Sequence, residues 1–275
     1  MNAQLEKIKE LLEEADFVLI GAGAGLSSAA GFEYGGLTFM RNFKYMHDLY
    51  GYRDMYSAGF HPFFSSEEKW GYWSKFIHLN RYQGVKPLYQ RLMSLIREKD
   101  YFVLTTNVDH QFQLAGIDKA RLFYTQGDYG LFQCSLPCHN KTYDNEETIR
   151  AMVGEMKDHK IPSRLIPTCP VCGKEMSMNL RSDDTFVEDE GWHKAAGRYM
   201  AFLERAKKGK TLLIELGVGF NTPGIIKYPF MRFVYENKAT HYVVINKGNN
   251  VVPKEIEDRS ILLDMDILKA IGELS

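Results

Sequence analysis

The sequence predicts an α/β fold: a doubly wound parallel sheet with a smaller inserted helical and metal-binding module. Three observations predict it. Short runs of uninterrupted apolar residues recur, the first being Phe17-Val18-Leu19-Ile20. Amphipathic helical patterns lie between those runs. A glycine-rich turn, Gly21-Ala22-Gly23-Ala24-Gly25, follows the first run directly. Apolar strands without alternation are typical of parallel sheets covered on both faces. Strands alternating with helices argue for the doubly wound arrangement. A length of 275 residues suits one domain, 1–275, carrying insertions.

Leu5, Ile8, Leu12 and Ala15 recur at helical spacing and predict an opening amphipathic helix. After the first strand, further buried strands are predicted at Tyr101 to Thr105, Thr211 to Leu216 and His241 to Ile245, with a shorter one at Arg121 to Thr125. Helices are predicted around Leu88, Leu92, Leu95 and Ile96, around Tyr199, Phe202, Leu203 and Ala206, and from about Ile267 to the end. Asp189-Glu190-Gly191-Trp192 reads as a helix start. Two segments break the rhythm. Residues 32–86, rich in Phe, Tyr and Trp, read as a helical insertion; residues 130–190, which hold the cysteines, read as a second. Trp70, Tyr72 and Trp73 read as the core of the smaller module, with a lid as the alternative.

The formal net charge of −1 argues against a basic stripe, and so against a nucleic-acid partner. A hydrophobic share of 45% supports a sizeable core. The charged, helical start does not read as a signal peptide, and no apolar run is long enough to span a membrane. A cytoplasmic protein with no membrane partner is therefore expected. In that compartment, four cysteines confined to positions 134–172 suggest a metal rather than disulfides.

Cys169-Pro170-Val171-Cys172-Gly173 has the form of a zinc knuckle, and Cys134-x3-Cys138 supplies a looser second half. Together they make a closed Cys₄ set, which leaves no open position and implies a structural zinc. His139 is an alternative ligand; four reduced cysteines or a redox pair are the alternatives to metal.

The glycine turn permits close approach of backbone to a diphosphate, whose charge the amides and the following helix would hold. Ser27 falls in the first turn of that helix. Leu26 stands where G-x-G-x-x-G needs glycine, and no acidic ribose ligand follows about 20 positions on. An ordinary hydride-transferring dehydrogenase is therefore excluded. Close helix–strand packing is the alternative use of the turn. Other strand ends are also polar or glycine-rich: Thr105-Thr106-Asn107-Val108-Asp109-His110, Thr125-Gln126-Gly127-Asp128, Gly217-Val218-Gly219-Phe220-Asn221 and Ile245-Asn246-Lys247-Gly248. Ligands of open α/β sheets sit beyond such ends. The alternative for Asn107 and Asp109 is helix N-capping before Gln111.

In this order, these motifs resemble the sirtuin family over nearly the whole chain: Gly21-Ala22-Gly23, Thr105-Thr106-Asn107-Val108-Asp109, Gln126-Gly127, the four cysteines, Gly217-Val218-Gly219 and Ile245-Asn246. The resemblance implies a Rossmann-like sirtuin catalytic domain that consumes NAD. Two departures set the chain apart from the deacetylases. Gln126 stands in the place of their histidine, and Gly31-Phe32-Glu33-Tyr34-Gly35-Gly36 replaces G-I-P-D-F-R. The whole pattern looks like the class M sirtuins, protein ADP-ribosyltransferases found in microbes alongside macrodomain proteins and lipoyl-carrier proteins, of which glutamine in the histidine position is one mark. That likeness implies a lipoylated carrier protein as acceptor and a macrodomain hydrolase as reversing partner.

By resemblance, Gly21, Ala22, Gly23, Ala24 and Ser27 would hold NAD through the glycine turn, with Gly217, Val218, Gly219 and Asn221 lining a second strand end. Asn107 would position the ribose and the attacking group, Asp109 the nicotinamide carboxamide, and Gln126 the ribose hydroxyls. Asn246, with Lys247 beside it, would hold the adenosine ribose, and Met265 would border the adenine. In sirtuins the stretch corresponding to Asn179–Glu188 leads to a substrate-binding strand. It offers Arg181, Asp183, Asp184 and Glu188 as bases or orienting groups, Arg181 foremost; the alternative is a solvated charged loop. A glutamine amide orients but does not take a proton. Loss of a general base typically costs about 10²- to 10⁴-fold. The expected activity is therefore direct ADP-ribosyl transfer, with NAD-dependent lysine deacylation and a non-catalytic NAD or ADP-ribose sensor as alternatives.

Overall fold

A computed structural model describes residues 3–248 and 250–275, so Met1 and Asn2 of the predicted helical start lie outside it. The chain runs through α1 (Ala3–Glu14), β1 (Phe17–Ala22), α2 (Ala24–Ala29), α3 (Gly36–Tyr50), α4 (Met55–Gly59), α5 (Ser66–Arg81) and α6 (Pro87–Ile96). It continues with β2 (Asp100–Thr105), α7 (Gln111–Leu114), β3 (Leu122–Tyr124), β4 (Gly127–Cys134), β5 (Tyr143–Asp144), α8 (Glu146–Glu155) and β6 (Met176–Leu180). It closes with α9 (Glu190–Ala206), β7 (Thr211–Leu216), α10 (Lys227–Glu236), β8 (Thr240–Asn246), β9 (Ser260–Asp264) and α11 (Ile267–Leu274). The described residues fall into two units. One takes residues 3–30, 85–126, 188–248 and 250–275; the other takes Gly31–Gly84 and Gly127–Val187.

The first unit is a six-stranded sheet in the order β3-β2-β1-β7-β8-β9. Every pairing in it is parallel. Period-two geometry sends successive side chains of each strand to opposite faces, and both faces are covered. Val18, Ile20, Val103, Ile214, Val243 and Ile245 pack with Leu5, Ile8, Leu92, Ile96 and Ile271 from α1, α6 and α11. Leu19, Phe102, Leu213 and Val244 pack with Phe202, Phe230 and Val234 from α9 and α10. Each such side chain contributes roughly 1.5–3 kcal/mol on burial. This two-sided cover explains why the strands read as unbroken apolar runs.

Asp189 caps α9 by accepting from the Trp192 amide at 2.8 Å, as its sequence predicts. Gly21 and Ala22, read as the start of the turn, instead close β1, opposite Leu104 and Thr105. Strand β9 escapes the sequence reading because Ser260-Ile261-Leu262-Leu263-Asp264 is short and follows a 3₁₀ turn.

The second unit holds a small antiparallel sheet, β5-β4-β6, and helices α3, α4, α5 and α8. Trp70 and Tyr72 are buried with Phe39, Phe43 and Phe76, so they serve as core rather than lid. Gly71 lets α5 lie against the His159 carbonyl, where a Cβ would have no room. Among the described residues no helix is long and apolar enough to cross a membrane.

Candidate active site

The chain leaves β1 toward β2 on one side and later returns to the other side with β7. That reversal is a topological switch point, the usual place for a ligand in an open α/β sheet. The turns after β1 and β7 meet there. The Gly25 amide donates to the Gly217 carbonyl at 2.9 Å, and the Gly23 amide to the Leu216 carbonyl at 3.0 Å. A Cβ on Gly25 would lie 2.7 Å from Gly217 Cα, and one on Gly23 would lie 2.8 Å from the Gly217 oxygen. Gly217 itself has φ of 60°, a left-handed conformation that favours glycine. A Cβ on Gly21 would lie 2.5 Å from Ile226 and 2.7 Å from Phe230. The glycines therefore serve close packing within the protein, and the Gly23 and Gly25 amides are committed to Leu216 and Gly217. Helix α2 starts directly behind that turn without a side-chain cap.

Beyond β2, Asn107 Nδ2 donates to the Gly23 carbonyl at 3.0 Å and lies 3.3 Å from Tyr89 Oη. Asp109 Oδ2 accepts from Ser27 Oγ at 2.6 Å and from Tyr89 Oη at 3.3 Å. Asp109 Oδ1 accepts from the Gln111 amide at 3.0 Å, so the capping reading describes one carboxylate oxygen and the Ser27 network the other. All four side chains are buried, Tyr89 completely. Burial, with the Asp109 charge adding to it, pushes the Tyr89 phenol well above its ordinary range. It is therefore a neutral hydroxyl at physiological pH. Sequence reasoning passes over Tyr89 because it sits beside Leu88 in the apolar stripe of α6. The available signal is a phenol inside such a stripe, whose hydroxyl needs a partner when buried.

Gln126 follows β3, where the Thr125 amide donates to the Thr105 carbonyl at 3.0 Å and Trp192 Nε1 donates to the Thr125 carbonyl at 3.1 Å. Ala22 closes β1, and its carbonyl accepts from Thr105 Oγ1 at 3.0 Å. Val218 is buried, whereas Gly219 and Asn221 are exposed. Asn246 ends β8 opposite Asp264 of β9, next to Met265. Lys247 pairs with Asp266 at 2.9 Å. Below the turn after β7, Glu215, Lys227 and Tyr242 form a buried cluster: Lys227 and Tyr242 both donate to the Glu215 carboxylate. The Lys227 ammonium also lies 5.0 Å from the centre of the Phe220 ring, tying that turn to α10. The signal for this cluster is a lone acid in the apolar strand Thr211-Leu212-Leu213-Ile214-Glu215-Leu216.

In the second unit, Arg181 is exposed and stacks over Phe186 at 4.6 Å. The loop that carries it is fixed from beneath. Buried Gln133 donates to the Thr185 carbonyl at 2.7 Å and accepts from the Val187 amide at 2.9 Å and from Asn179 at 2.7 Å. Asp183 accepts from the Thr185 hydroxyl and amide at 2.6 and 2.8 Å, which holds its carboxyl below the usual range. Asp183 is thus poorly suited to act as a base near neutrality.

Cys134, Cys138, Cys169 and Cys172 bring their sulfurs within 4.8 Å of one another. Cys134 and Cys172 are 3.6 Å apart, and Cys138 and Cys169 are 3.7 Å apart. A zinc–sulfur bond of about 2.3 Å gives a tetrahedral edge of about 3.8 Å, so the set fits zinc. Burial pushes the Cys138 thiol up to about 12 with its sulfur neighbours adding to it. Burial opposes ionisation of Cys169 too, but the Cys172 and Val171 amides bring it down to about 6. His139 stands outside the four, with Nδ1 3.7 Å from Cys138 Sγ and Nε2 2.7 Å from Tyr143 Oη.

No family model matches the chain. Among solved structures, a Sir2 complex with a p53 peptide and NAD+ aligns over 100% of this chain and 97% of its own, with a TM-score of 0.59 at 19% identity. A sirtuin from a study of substrate affinity gives a TM-score of 0.61 at 18% identity over 100% of this chain and 98% of its own. The fold is therefore that of the sirtuins. A protein ADP-ribosyltransferase of Staphylococcus aureus is 40% identical over 96% of this chain and 84% of its own length. A probable bifunctional ADP-ribose hydrolase/ADP-ribosyltransferase of Fusarium oxysporum f. sp. cubense is 33% identical over 94% of this chain but only 45% of its own. The chain belongs to the protein ADP-ribosyltransferases, as an NAD-consuming enzyme of sirtuin type.

Proposed function

We propose that this enzyme transfers ADP-ribose from NAD to a lipoylated carrier protein, and that a macrodomain hydrolase reverses the modification. The observation that carries the transferase reading is Gln126 at the strand end where deacetylating sirtuins have histidine. The Staphylococcus relative is itself named a protein ADP-ribosyltransferase. The name of the Fusarium relative joins a hydrolase and a transferase in one chain, which supports a reversing partner. The lipoylated acceptor rests on the likeness to class M sirtuins.

In this reading the bond between ribose C1′ and nicotinamide breaks, and its electron pair leaves with nicotinamide. An acceptor atom then bonds to C1′ and releases its proton to water. Asp109, held by Ser27 and Tyr89, grips the nicotinamide carboxamide. Asn107 orients the ribose and the attacking group. Gln126 bonds the ribose hydroxyls without taking a proton from them. Arg181, steadied on Phe186, holds an acceptor or ribose oxygen with its planar guanidinium. The glycine turn receives the diphosphate, Asn246 the adenosine ribose, and Met265 borders the adenine.

The test is to incubate the protein with NAD and with acylated or lipoylated carrier proteins, and to weigh every product. ADP-ribose mass on the lipoylated carrier is expected. Release of O-acyl-ADP-ribose would replace transfer with deacylation, and NAD binding without nicotinamide release would leave a sensor. Asn107→Ala should abolish turnover; full activity in that variant would remove Asn107 from the mechanism.

A further inference from the structure

We propose that Tyr89 is a positioning residue that clamps the Asn107 amide, so that Asn107 meets its substrate as a hydrogen-bond acceptor. The inference rests on the proposed role of Asn107. The Gly23 carbonyl can only accept, so the amide atom 3.0 Å from it is the nitrogen. The same nitrogen lies 3.3 Å from Tyr89 Oη, and its two hydrogens thus have two acceptors.

The phenol can accept because its own proton is drawn elsewhere. Ser27 gives its proton to Asp109 Oδ2 at 2.6 Å, which leaves Ser27 Oγ at 3.2 Å and Asp109 Oδ2 at 3.3 Å as acceptors for the phenol. A directed chain results: Asn107 N–H to Tyr89 O–H to the Ser27–Asp109 pair. With both amide hydrogens committed inward, Oδ1 is the atom Asn107 offers to a ligand. Among the described residues none donates to it. An amide oxygen suits a ribose hydroxyl or the X–H of an incoming nucleophile. It does not suit a carbonyl or phosphate oxygen. One phenol thereby couples the residue that holds the leaving group to the residue that orients the attack. Phe112 packs edge-on against the Tyr89 ring at 5.0 Å, so Tyr89→Phe removes the hydroxyl while keeping the packing.

Two measurements test the clamp. The first is the rate of nicotinamide release by Tyr89→Phe under conditions in which the wild type turns over. Loss of one buried hydrogen bond predicts a fall in kcat of about 5- to 30-fold, with KM for NAD within about 3-fold of the wild type. An unchanged kcat, or a loss confined to KM, overturns the inference. The second reads the wild type directly, through the side-chain amide protons of Asn107 by ¹⁵N NMR, assigned by their absence in Asn107→Ala. Slow exchange with water in the wild type, becoming faster in Tyr89→Phe, supports the clamp. Exchange as fast as that of exposed amides in the wild type overturns it, even where the variant fails to fold. Failure of the functional reading is distinguishable: Asn107→Ala would then keep full turnover, whatever Tyr89→Phe does.

Discussion

At position 126 the proposed function turns on a single functional group. Glutamine and histidine can both hydrogen-bond a hydroxyl, but only imidazole changes its protonation near neutrality. Gln126→His should therefore add, with an acylated acceptor, a titration to the formation of O-acyl-ADP-ribose that the wild type does not show. The neutral imidazole is the base, and it exists above its pKa. Any activity that depends on it is lost as pH falls through a value near 6.5. Rate profiles from pH 5.5 to 8.5, measured with an acylated and a lipoylated acceptor, check this; coincident profiles for both proteins would sink it. Residue-scale legibility follows a simple division. Asn107, Asp109 and Gln126 are readable because they are polar residues at strand ends. Tyr89 and Gln133 are not, because their partners come from distant segments that only folding brings near.

Elements built from one continuous pattern were readable: β1, β2, β7 and β8 are apolar runs, and α6 and α11 have helical stripes. The insertion at 130–190 was readable only as a cysteine module, since β4 (Gly127-Asp128-Tyr129-Gly130-Leu131-Phe132-Gln133-Cys134) mixes glycine, acid and amide without clean alternation. Cys134 closes β4, and the Gln133 side chain beside it joins β4 to Asn179 of β6. The turn after Cys172 is also tied to α5. Glu175 accepts from Ser66 at 2.5 Å and from Trp70 Nε1 at 2.8 Å, and it pairs with Lys69. Burial opposes ionisation of Glu175, but those donors, Lys69 and Ser66 foremost, hold its carboxyl below the ordinary 4.5. A depressed carboxylate stabilises the fold above its unfolded value and loses that contribution as pH falls through the lowered value. Glu175→Gln should destabilise by roughly 1–3 kcal/mol at pH 7. The difference from wild type should shrink as the pH drops below about 4. Denaturant midpoints of both proteins across pH test the linkage; a gap independent of pH would assign the effect to packing alone.

At the scale of the whole molecule, the two units draw their stability from different sources. The parallel sheet has an apolar cluster on each face, contributed by its own helices. The strands of the second unit are few, and β5 spans only Tyr143–Asp144. A Cys₄ set whose geometry fits zinc lies at the end of that small sheet, at Cys134 and before Met176. Structural zinc contributes apparent binding free energies of roughly 10–16 kcal/mol in small modules, comparable to the total stability of a domain. Metal removal should therefore act locally before it acts globally. With a strong chelator at neutral pH, backbone amides of Phe132, Gln133, Cys134, Met176 and Met178 are expected to lose protection from hydrogen exchange. Those of Val18, Leu213 and Val243 should keep theirs, because no cysteine supports the sheet they belong to. The untreated protein should carry one zinc per chain by elemental analysis. Simultaneous loss of protection in both sets would show that the parallel sheet depends on the metal as well, and would remove the division of labour argued from the two cores. Retained protection in both, with the zinc gone, would mean that the cysteines merely decorate a hairpin already stable through Gln133, Asn179 and Glu175.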